Sequence, residues 1–190
     1  MVFPVVSQSA GIVVLGDSIS AGYGLDNPEQ GWVALLQSQL RGAGSKSEVI
    51  NASISGDTSA GGLDRIDGLL ERYQPSIVIL ELGANDGLRG LLPSKTQANL
   101  GEIIERAKAK RAKVLLLGMR IPPNYGKRFN DMFEGIFPAL AQQHGIAYVP
   151  FLLEGVGGQS HLMQADGLHP NVDAQPILMR SVWQHLQPLI

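Results

Sequence analysis

Three side chains in this sequence are of the types that together activate a serine for attack on a carbonyl carbon. Ser18 stands in a Gly-Asp-Ser triplet directly after an apolar run, and Asp166 and His169 are three residues apart near the carboxyl end. A serine hydroxyl is a weak nucleophile at its ordinary pKa and needs an adjacent base. His169 can take the proton of Ser18, and Asp166 can fix the imidazole tautomer and stabilise the imidazolium. The sequence therefore predicts acyl transfer through a triad of Ser18, Asp166 and His169.

Acyl transfer also needs hydrogen-bond donors for the oxyanion that develops on the substrate carbonyl. Gly56 can offer a backbone N–H with no side chain in the way, and Asn85 can offer its side-chain NH₂ group. The backbone N–H of Ser18, near the start of the first helix, is a third candidate. We therefore expect an oxyanion hole formed by Ser18, Gly56 and Asn85.

Each of these motifs alone is also typical of an ordinary turn, because Gly, Asp, Asn and Ser are residues that turns favour. Their positions relative to the predicted strands favour the catalytic interpretation. Short apolar, β-branched runs predict five strands: Ile12–Leu15, Glu48–Asn51, Ser76–Leu82, Lys113–Met119 and Ala147–Phe151. The motifs with Ser18, Gly56 and Asn85 follow the first three strands, and Asp166 and His169 follow the fifth. Doubly wound folds place their chemistry at the carboxyl ends of strands, so all four motifs fall where a site is expected.

Segments with helical spacing of apolar residues separate these strands. They span Trp32–Leu40, Leu63–Tyr73, Leu100–Ala107 and Met132–Leu140, and a last helix runs from about Asp173 to Leu186 with Pro176 in its first turn. Repeated alternation of strand and helix is typical of the α/β class. We predict a three-layer α/β/α sandwich around a five-stranded parallel sheet.

Length and composition limit the domain number and the partners. The 190 residues indicate a single domain over residues 11–190, and residues 1–10 are interpreted as an N-terminal tail or a signal-peptide remnant. Charged residues make up 17% and the net charge is −2, which leaves no single-sign field for nucleic acid or an anionic membrane. No apolar run approaches the roughly 18 residues that span a bilayer, so we expect no integral membrane association. Cysteine is absent, which excludes disulfides and thiolate catalysis.

Other kinds of site fail on spacing. The chain has no Gly-x-Ser-x-Gly elbow, no phosphate-binding loop and no His-Glu-x-x-His, and its four histidines lack metal-ligand spacing, so we expect no metal.

The main alternative outside hydrolysis is a phospho-acceptor receiver domain, in which Asp17, Asp57 and Asp86 would bind Mg²⁺. Such a site also needs a lysine after the fifth strand, and no lysine follows Lys127. Asp17 and Asp86 are better interpreted as braces for the loops that hold Ser18 and Asn85.

The set of motifs resembles the SGNH hydrolases, also called GDSL-type esterases, over nearly the whole chain. Gly16-Asp17-Ser18-Ile19 matches the first block, with Ile19 where the family usually has leucine; Gly56, Gly83-Ala84-Asn85-Asp86 and Asp166-Gly167-Leu168-His169-Pro170 match the other blocks. The stretches Gly22-Tyr23-Gly24-Leu25, Asn51 to Thr58 and Asn85 to Gly90 are similar to the bacterial arylesterase and acyl-CoA thioesterase I/lysophospholipase branch.

The resemblance implies a flavodoxin-like sheet, a shallow site without a cofactor, and hydrolysis of esters and thioesters through an acyl-enzyme. It also implies export to the periplasm or secretion, and we expect a monomer that acts on a small molecule with a hydrophobic acyl or aryl group. A lysophospholipase or a carbohydrate O-deacetylase on the same scaffold is the alternative.

Two loops are expected to form the walls of the substrate site. Leu88 and Leu91 follow the third strand, and a second loop after the fourth strand supplies Met119, Ile121, Pro122 and Tyr125. An apolar lining suits an acyl chain or an aryl group. The alternative is that these leucines close the core beneath a long loop.

Overall fold

The fold is built on a sheet of five parallel strands. A computed structural model describes residues 11–190; residues 1–10, interpreted above as a tail or signal remnant, lie outside the described residues. The strands are β1 (Ile12–Gly16), β2 (Val49–Asn51), β3 (Ile77–Glu81), β4 (Lys113–Leu117) and β5 (Ala147–Val149), in the order β2-β1-β3-β4-β5. All four strand pairs are parallel. The observed strands agree with the predicted runs to within two residues at each end.

The neighbouring inner strands β1 and β3 are mostly apolar and are buried on both faces. Every residue of β1 and β3 is buried, as expected for strands covered by helices above and below. The strand order reverses at β1, because the chain moves from β1 out to β2 and then returns to β3 on the other side. The carboxyl ends of β1 and β3 therefore flank the switch point at which doubly wound folds bind their ligands.

Helices cover both faces of this sheet. They are α1 (Ser18–Ala21), α2 (Trp32–Gly42), α3 (Ser59–Tyr73), α4 (Ala84–Leu88), α5 (Pro93–Ala109), α6 (Lys127–Glu134), α7 (Ile136–His144) and α8 (Gln175–Leu186), with 3₁₀ turns at Pro28–Gln30, Pro123–Tyr125, Val172–Ala174 and Gln187–Leu189. Helix α2 packs against α8, while α5 packs against both α3 and α7. The predicted three-layer α/β/α sandwich is confirmed. No helix within residues 11–190 is both long and apolar enough to cross a membrane.

The helices differ from the predicted segments in one informative place. The predicted Met132–Leu140 segment is split between α6 and α7 at Gly135. Pro138 has no N–H to donate to the carbonyl of Glu134, so the series of i to i−4 hydrogen bonds is interrupted there. At the carboxyl end, Pro176 lies in the first turn of α8, as predicted.

Candidate active site

Ser18 is the first residue of α1, directly after β1. The side chain of Asp17 caps this helix, because its Oδ1 accepts a hydrogen bond of 3.0 Å from the N–H of Ile19. The helix ends after one turn at Gly22, which is left-handed. This short helix leaves the Ser18 side chain partly exposed above the carboxyl end of the sheet.

The triad side chains lie in one hydrogen-bonded chain. His169 Nε2 is 2.8 Å from Ser18 Oγ, and His169 Nδ1 is 2.6 Å from Asp166 Oδ2. When the imidazole carries its proton on Nδ1, it donates to Asp166 and accepts from the Ser18 hydroxyl. That tautomer is the one in which a histidine can remove the proton of a serine.

Asp166 is held as a carboxylate by the loop it belongs to. Its Oδ1 accepts hydrogen bonds from the backbone N–H groups of His169 (3.0 Å) and Leu168 (2.9 Å). The backbone N–H and then the imidazole of His169 lower the pKa of Asp166 to about 2. Asp166 therefore remains an anionic acceptor for the imidazole throughout the neutral range.

Two of the three expected oxyanion donors are backbone N–H groups. Among residues 11–190, neither the N–H of Ser18 nor that of Gly56 has a hydrogen-bond acceptor. Gly56 has a φ of +81°, a conformation that a residue with a side chain adopts only under strain. Glycine at this position therefore allows the loop after β2 to present its amide.

The third expected donor, the side-chain amide of Asn85, already has two hydrogen-bond acceptors within the protein. Its Nδ2 donates to Asp57 O at 2.9 Å and to Asp17 Oδ2 at 3.1 Å. These two bonds fix the amide beside the Ser18 turn. An oxyanion must therefore share or replace one of these acceptors to be bound by Asn85.

Arg65 holds the loop that carries Gly56, a role that the sequence analysis missed. Its guanidinium pairs with Asp57 Oδ2 at 2.8 Å, and it donates to the carbonyls of Ala52 and Gly16. One side chain thus ties the loop after β2 to the end of β1.

Two buried acidic residues, Asp17 and Glu81, lie next to the turn that carries Ser18. Glu81, at the end of β3, is fully buried, and its Oε2 accepts from the Ser20 hydroxyl at 2.6 Å and from the Asp17 N–H at 3.1 Å. Burial, followed by the charge of Asp17, raises the pKa of Glu81 well above its usual range. Burial likewise raises the pKa of Asp17 to about 6. The signal for Glu81 was a lone acidic residue at the end of an otherwise apolar run.

The raised pKa of Glu81 makes stability depend on pH. Above the ordinary value of 4.5, the folded state retains a proton that the unfolded state releases, so the free energy of unfolding falls as pH rises. Glu81→Gln removes this dependence and leaves that of Asp17 in place. We expect the melting temperature of the variant, relative to wild type, to rise as the pH increases above about 4.5. Thermal denaturation at several pH values measures it, and a difference that does not change with pH would contradict the assignment.

The expected substrate-wall residues divide into two groups. Leu91 and Tyr125 are exposed, and Leu88 and Pro122 are partly exposed; the Tyr125 hydroxyl donates to Leu88 O at 2.7 Å, so the two loops are joined. Met119 and Ile121 instead belong to the hydrophobic core, with exposures of 2% and 6%. The expectation for these two residues requires correction, because side chains packed inside the core offer no surface to a substrate.

The strand-end aspartates act as braces. Asp86 accepts from the backbone N–H of Ser59 at 2.8 Å, from its hydroxyl and from Thr96 Oγ1, which joins α3, α4 and α5. Asp57 pairs with Arg65, as described above.

Within residues 11–190, no group of three or more histidine, aspartate or glutamate side chains is arranged to hold a metal ion. The braced aspartates give no support to the receiver-domain alternative.

Two further residues near His169 were not predicted. The ring of Tyr23 lies against that of His169, with centroids 4.6 Å apart and planes tilted by 41°. Gln164 Nε2 donates to Tyr23 O at 2.7 Å. No local motif predicted the hydrogen bond between Gln164 and Tyr23, which are 141 positions apart in the sequence.

Two of the curated relatives show how closely this chain resembles known proteins along nearly its full length. The esterase TesA of Pseudomonas aeruginosa is 54% identical over 179 residues, covering 94% of this chain and 89% of that protein. A protein of Escherichia coli K12 named thioesterase 1/protease 1/lysophospholipase L1 is 45% identical over 179 residues, covering 94% of this chain and 84% of that protein.

Solved structures and family membership agree with these relatives. The psychrotrophic esterase EstA from Pseudoalteromonas sp., in a structure inhibited by monoethylphosphonate, superposes with a TM-score of 0.89 at 43% identity, covering 94% of this chain and 97% of that one. Residues 14–175, which include the Ser18 turn and the loop with Asp166 and His169, match the GDSL-like lipase/acylhydrolase family. The chain therefore belongs to the GDSL-like lipase/acylhydrolase family.

Proposed function

We propose that this protein is a serine hydrolase that cleaves carboxylic esters and thioesters through Ser18, His169 and Asp166. The observation that carries the proposal is the continuous chain of hydrogen bonds from Ser18 Oγ through the imidazole to Asp166, at 2.8 and 2.6 Å. The names of the relatives, an esterase and a thioesterase/lysophospholipase, support the same reaction class.

The reaction proceeds in two half-reactions. Ser18 Oγ attacks the substrate carbonyl carbon while its proton passes to His169 Nε2, and Asp166 stabilises the imidazolium. The oxyanion accepts hydrogen bonds from the N–H groups of Ser18 and Gly56 and from Asn85. His169 then protonates the departing alcohol or thiol, which leaves an acyl group on Ser18. A water molecule, deprotonated by His169, attacks this acyl-enzyme, and the carboxylic acid is released with Ser18 reprotonated. No cofactor takes part in this scheme.

The substrate we propose is a small ester or thioester with a hydrophobic acyl or aryl part. The loops that follow β3 and β4 expose apolar side chains, among them Leu91, Leu92 and Tyr125. Such side chains favour a substrate with an apolar acyl group and not an acetylated sugar. A panel of p-nitrophenyl esters, acyl-CoA thioesters, lysophospholipids and acetylated sugars tests this choice. Activity confined to acetylated sugars would overturn it in favour of O-deacetylation, and activity confined to lysophospholipids would select the lysophospholipase alternative.

Asn85→Ala is expected to lower kcat by about 10²–10³-fold, because it removes a donor whose bond to the oxyanion is made mainly in the transition state. KM for a p-nitrophenyl ester is expected to stay within about twofold of wild type. Steady-state kinetics measure both constants, with Asn99→Ala as a control, since Asn99 bonds to Ser59 Oγ. If Asn85→Ala raises KM and leaves kcat unchanged, Asn85 binds ground-state substrate and is not an oxyanion donor.

Two further parts of the proposal concern location and oligomeric state. On the family resemblance, we propose that the protein is exported to the periplasm or secreted, and we also propose that it is a monomer. Cell fractionation and light scattering test the two statements separately.

A further inference from the structure

Gln164 connects the loop that carries the base to the segment that follows the nucleophile. Its side-chain Nε2 donates one hydrogen bond to Tyr23 O at 2.7 Å and the other to Pro170 O at 3.0 Å. Because both acceptors are backbone carbonyls, only the NH₂ end of the carboxamide can face them. The carboxamide thus uses both of its N–H donors, each on a different segment of the chain.

The backbone on either side of Gln164 continues this connection to both reacting residues. Tyr23 N–H donates to Ser18 O at 3.0 Å, which ties Tyr23 to the nucleophile turn. Gln164 N–H donates to His169 O at 2.8 Å, which ties Gln164 to the base. A continuous path of three hydrogen bonds, Ser18–Tyr23–Gln164–His169, therefore runs parallel to the direct contact between Ser18 Oγ and His169 Nε2.

Gly24 leaves the space that the carboxamide of Gln164 fills. A Cβ atom at Gly24 would lie 2.1 Å from Gln164 Oε1 and 2.9 Å from its Nε2, which is closer than any real contact. An alanine at this position must therefore displace the carboxamide from the position in which it bonds to Tyr23 O.

We infer that Gln164 is a positioning residue for the reaction, which sets the separation of Ser18 and His169 by clamping Tyr23 to the base loop. The inference rests on the proposed function, because it assigns a role to a residue that acts through the triad. A misplacement of reacting groups by about 1 Å can cost about 10²-fold in rate, so a clamp of this kind acts on the rate of acylation.

The test uses a fluorophosphonate probe that reacts with the activated Ser18, and it separates two quantities. The rate constant of labelling reports how well Ser18 is activated in each folded molecule. The labelled fraction reports how many molecules are folded and competent. A residue that only stabilises the fold changes the fraction, whereas a positioning residue changes the rate constant.

Gln164→Met keeps the length of the side chain and removes both donors. We expect a labelling rate constant about 10- to 100-fold below wild type, with a complete labelled fraction and with KM for a p-nitrophenyl ester within about twofold. Gln164→Glu keeps the shape but presents a carboxylate to two carbonyl oxygens, so it should show the same loss.

Gly24→Ala provides a second route that leaves Gln164 in the chain. It should slow labelling to a similar extent, and the double variant with Gln164→Met should be no slower than either single variant, because both remove the same hydrogen bond. Gly155→Ala is the control: its φ of +73° matches the +74° of Gly24, and no atom lies within 4 Å of the added Cβ. Its rate constant should equal that of wild type.

The outcomes are distinct. Labelling of Gln164→Met at the wild-type rate constant, whether its labelled fraction is complete or reduced, overturns the clamp and leaves the proposed function intact. Should Gln164→Met fail to fold, wild-type labelling of Gly24→Ala overturns the clamp in the same way. Absence of any adduct on Ser18 of the wild-type protein overturns the proposed function itself, and the clamp with it.

Discussion

Replacing Ser18 by alanine is expected to lower kcat for a p-nitrophenyl ester by about 10⁶-fold, because the reaction loses its only nucleophile. The hydroxyl is partly exposed, and its one hydrogen bond among the described residues is to His169 Nε2. The fold should therefore tolerate its removal, with a melting temperature within about 2 °C of wild type. Steady-state kinetics and thermal denaturation of the same preparation measure both quantities.

A second serine serves as the control for this variant. Ser160 is exposed and lies on the loop that leads to Asp166. Ser160→Ala should keep the full activity of wild type. If a folded Ser18→Ala protein retained more than about a hundredth of wild-type kcat, Ser18 would not be the nucleophile.

Asp166→Asn is expected to lower kcat by about 10⁴-fold, although it changes a single atom. The Oδ1 of an asparagine can still accept from the backbone N–H groups of Leu168 and His169, so the loop should keep its shape. Its NH₂ group would then face His169 Nδ1 and force the imidazole proton onto Nε2. An imidazole protonated at Nε2 cannot accept the proton of Ser18, so acylation should nearly stop.

This prediction separates a tautomer effect from a general loss of negative charge. Asp173 lies four residues beyond His169 in the Val172–Ala174 turn, and it is exposed. Asp173→Asn removes the same charge from the neighbourhood and should leave kcat unchanged. If the two variants lost activity equally, the role of Asp166 would be a long-range electrostatic one.

The architecture was predictable because short apolar runs alternate with segments of helical spacing along the chain. Ile77 to Leu80 is an unbroken apolar run, which favours a strand buried on both faces, and the structure places it at the centre of the sheet. The boundary between α6 and α7 was missed because helical periodicity continues across Gly135. The helix is interrupted because Pro138 has no backbone N–H, and the spacing of apolar residues does not reveal this.

Ser18, Asp166 and His169 stand in short local motifs, and the structure places them in hydrogen-bond contact. Side chains outside such motifs, which bond to distant parts of the chain, were not predicted. Asp166 and His169 form one turn, so their contact follows from spacing alone. The bond of Gln164 to Tyr23 and that of Glu81 to Ser20 join residues 141 and 61 positions apart. Only the closure of the fold brings such residues together, and no local pattern encodes them.

The error over Met119 and Ile121 has a related cause. A loop after a strand was expected to expose its apolar residues to substrate, but the path of the backbone turns these two side chains into the core. Ile121 packs where a side chain on Gly87 would otherwise stand, since a Cβ at Gly87 would lie 2.6 Å from Ile121 Cγ2. The packing partner of Ile121 lies on α4, which spacing along the sequence cannot reveal.

Activation of Ser18 by His169 and Asp166 is best tested by labelling with a fluorophosphonate and locating the adduct by peptide mass spectrometry. The inhibition of the similar EstA by monoethylphosphonate makes a phosphonate a suitable probe. We predict a single adduct on Ser18 of the wild-type protein and no adduct on Ser18→Ala. A folded wild-type protein that gives no adduct, or an adduct on a different serine, would mean that His169 and Asp166 do not activate Ser18.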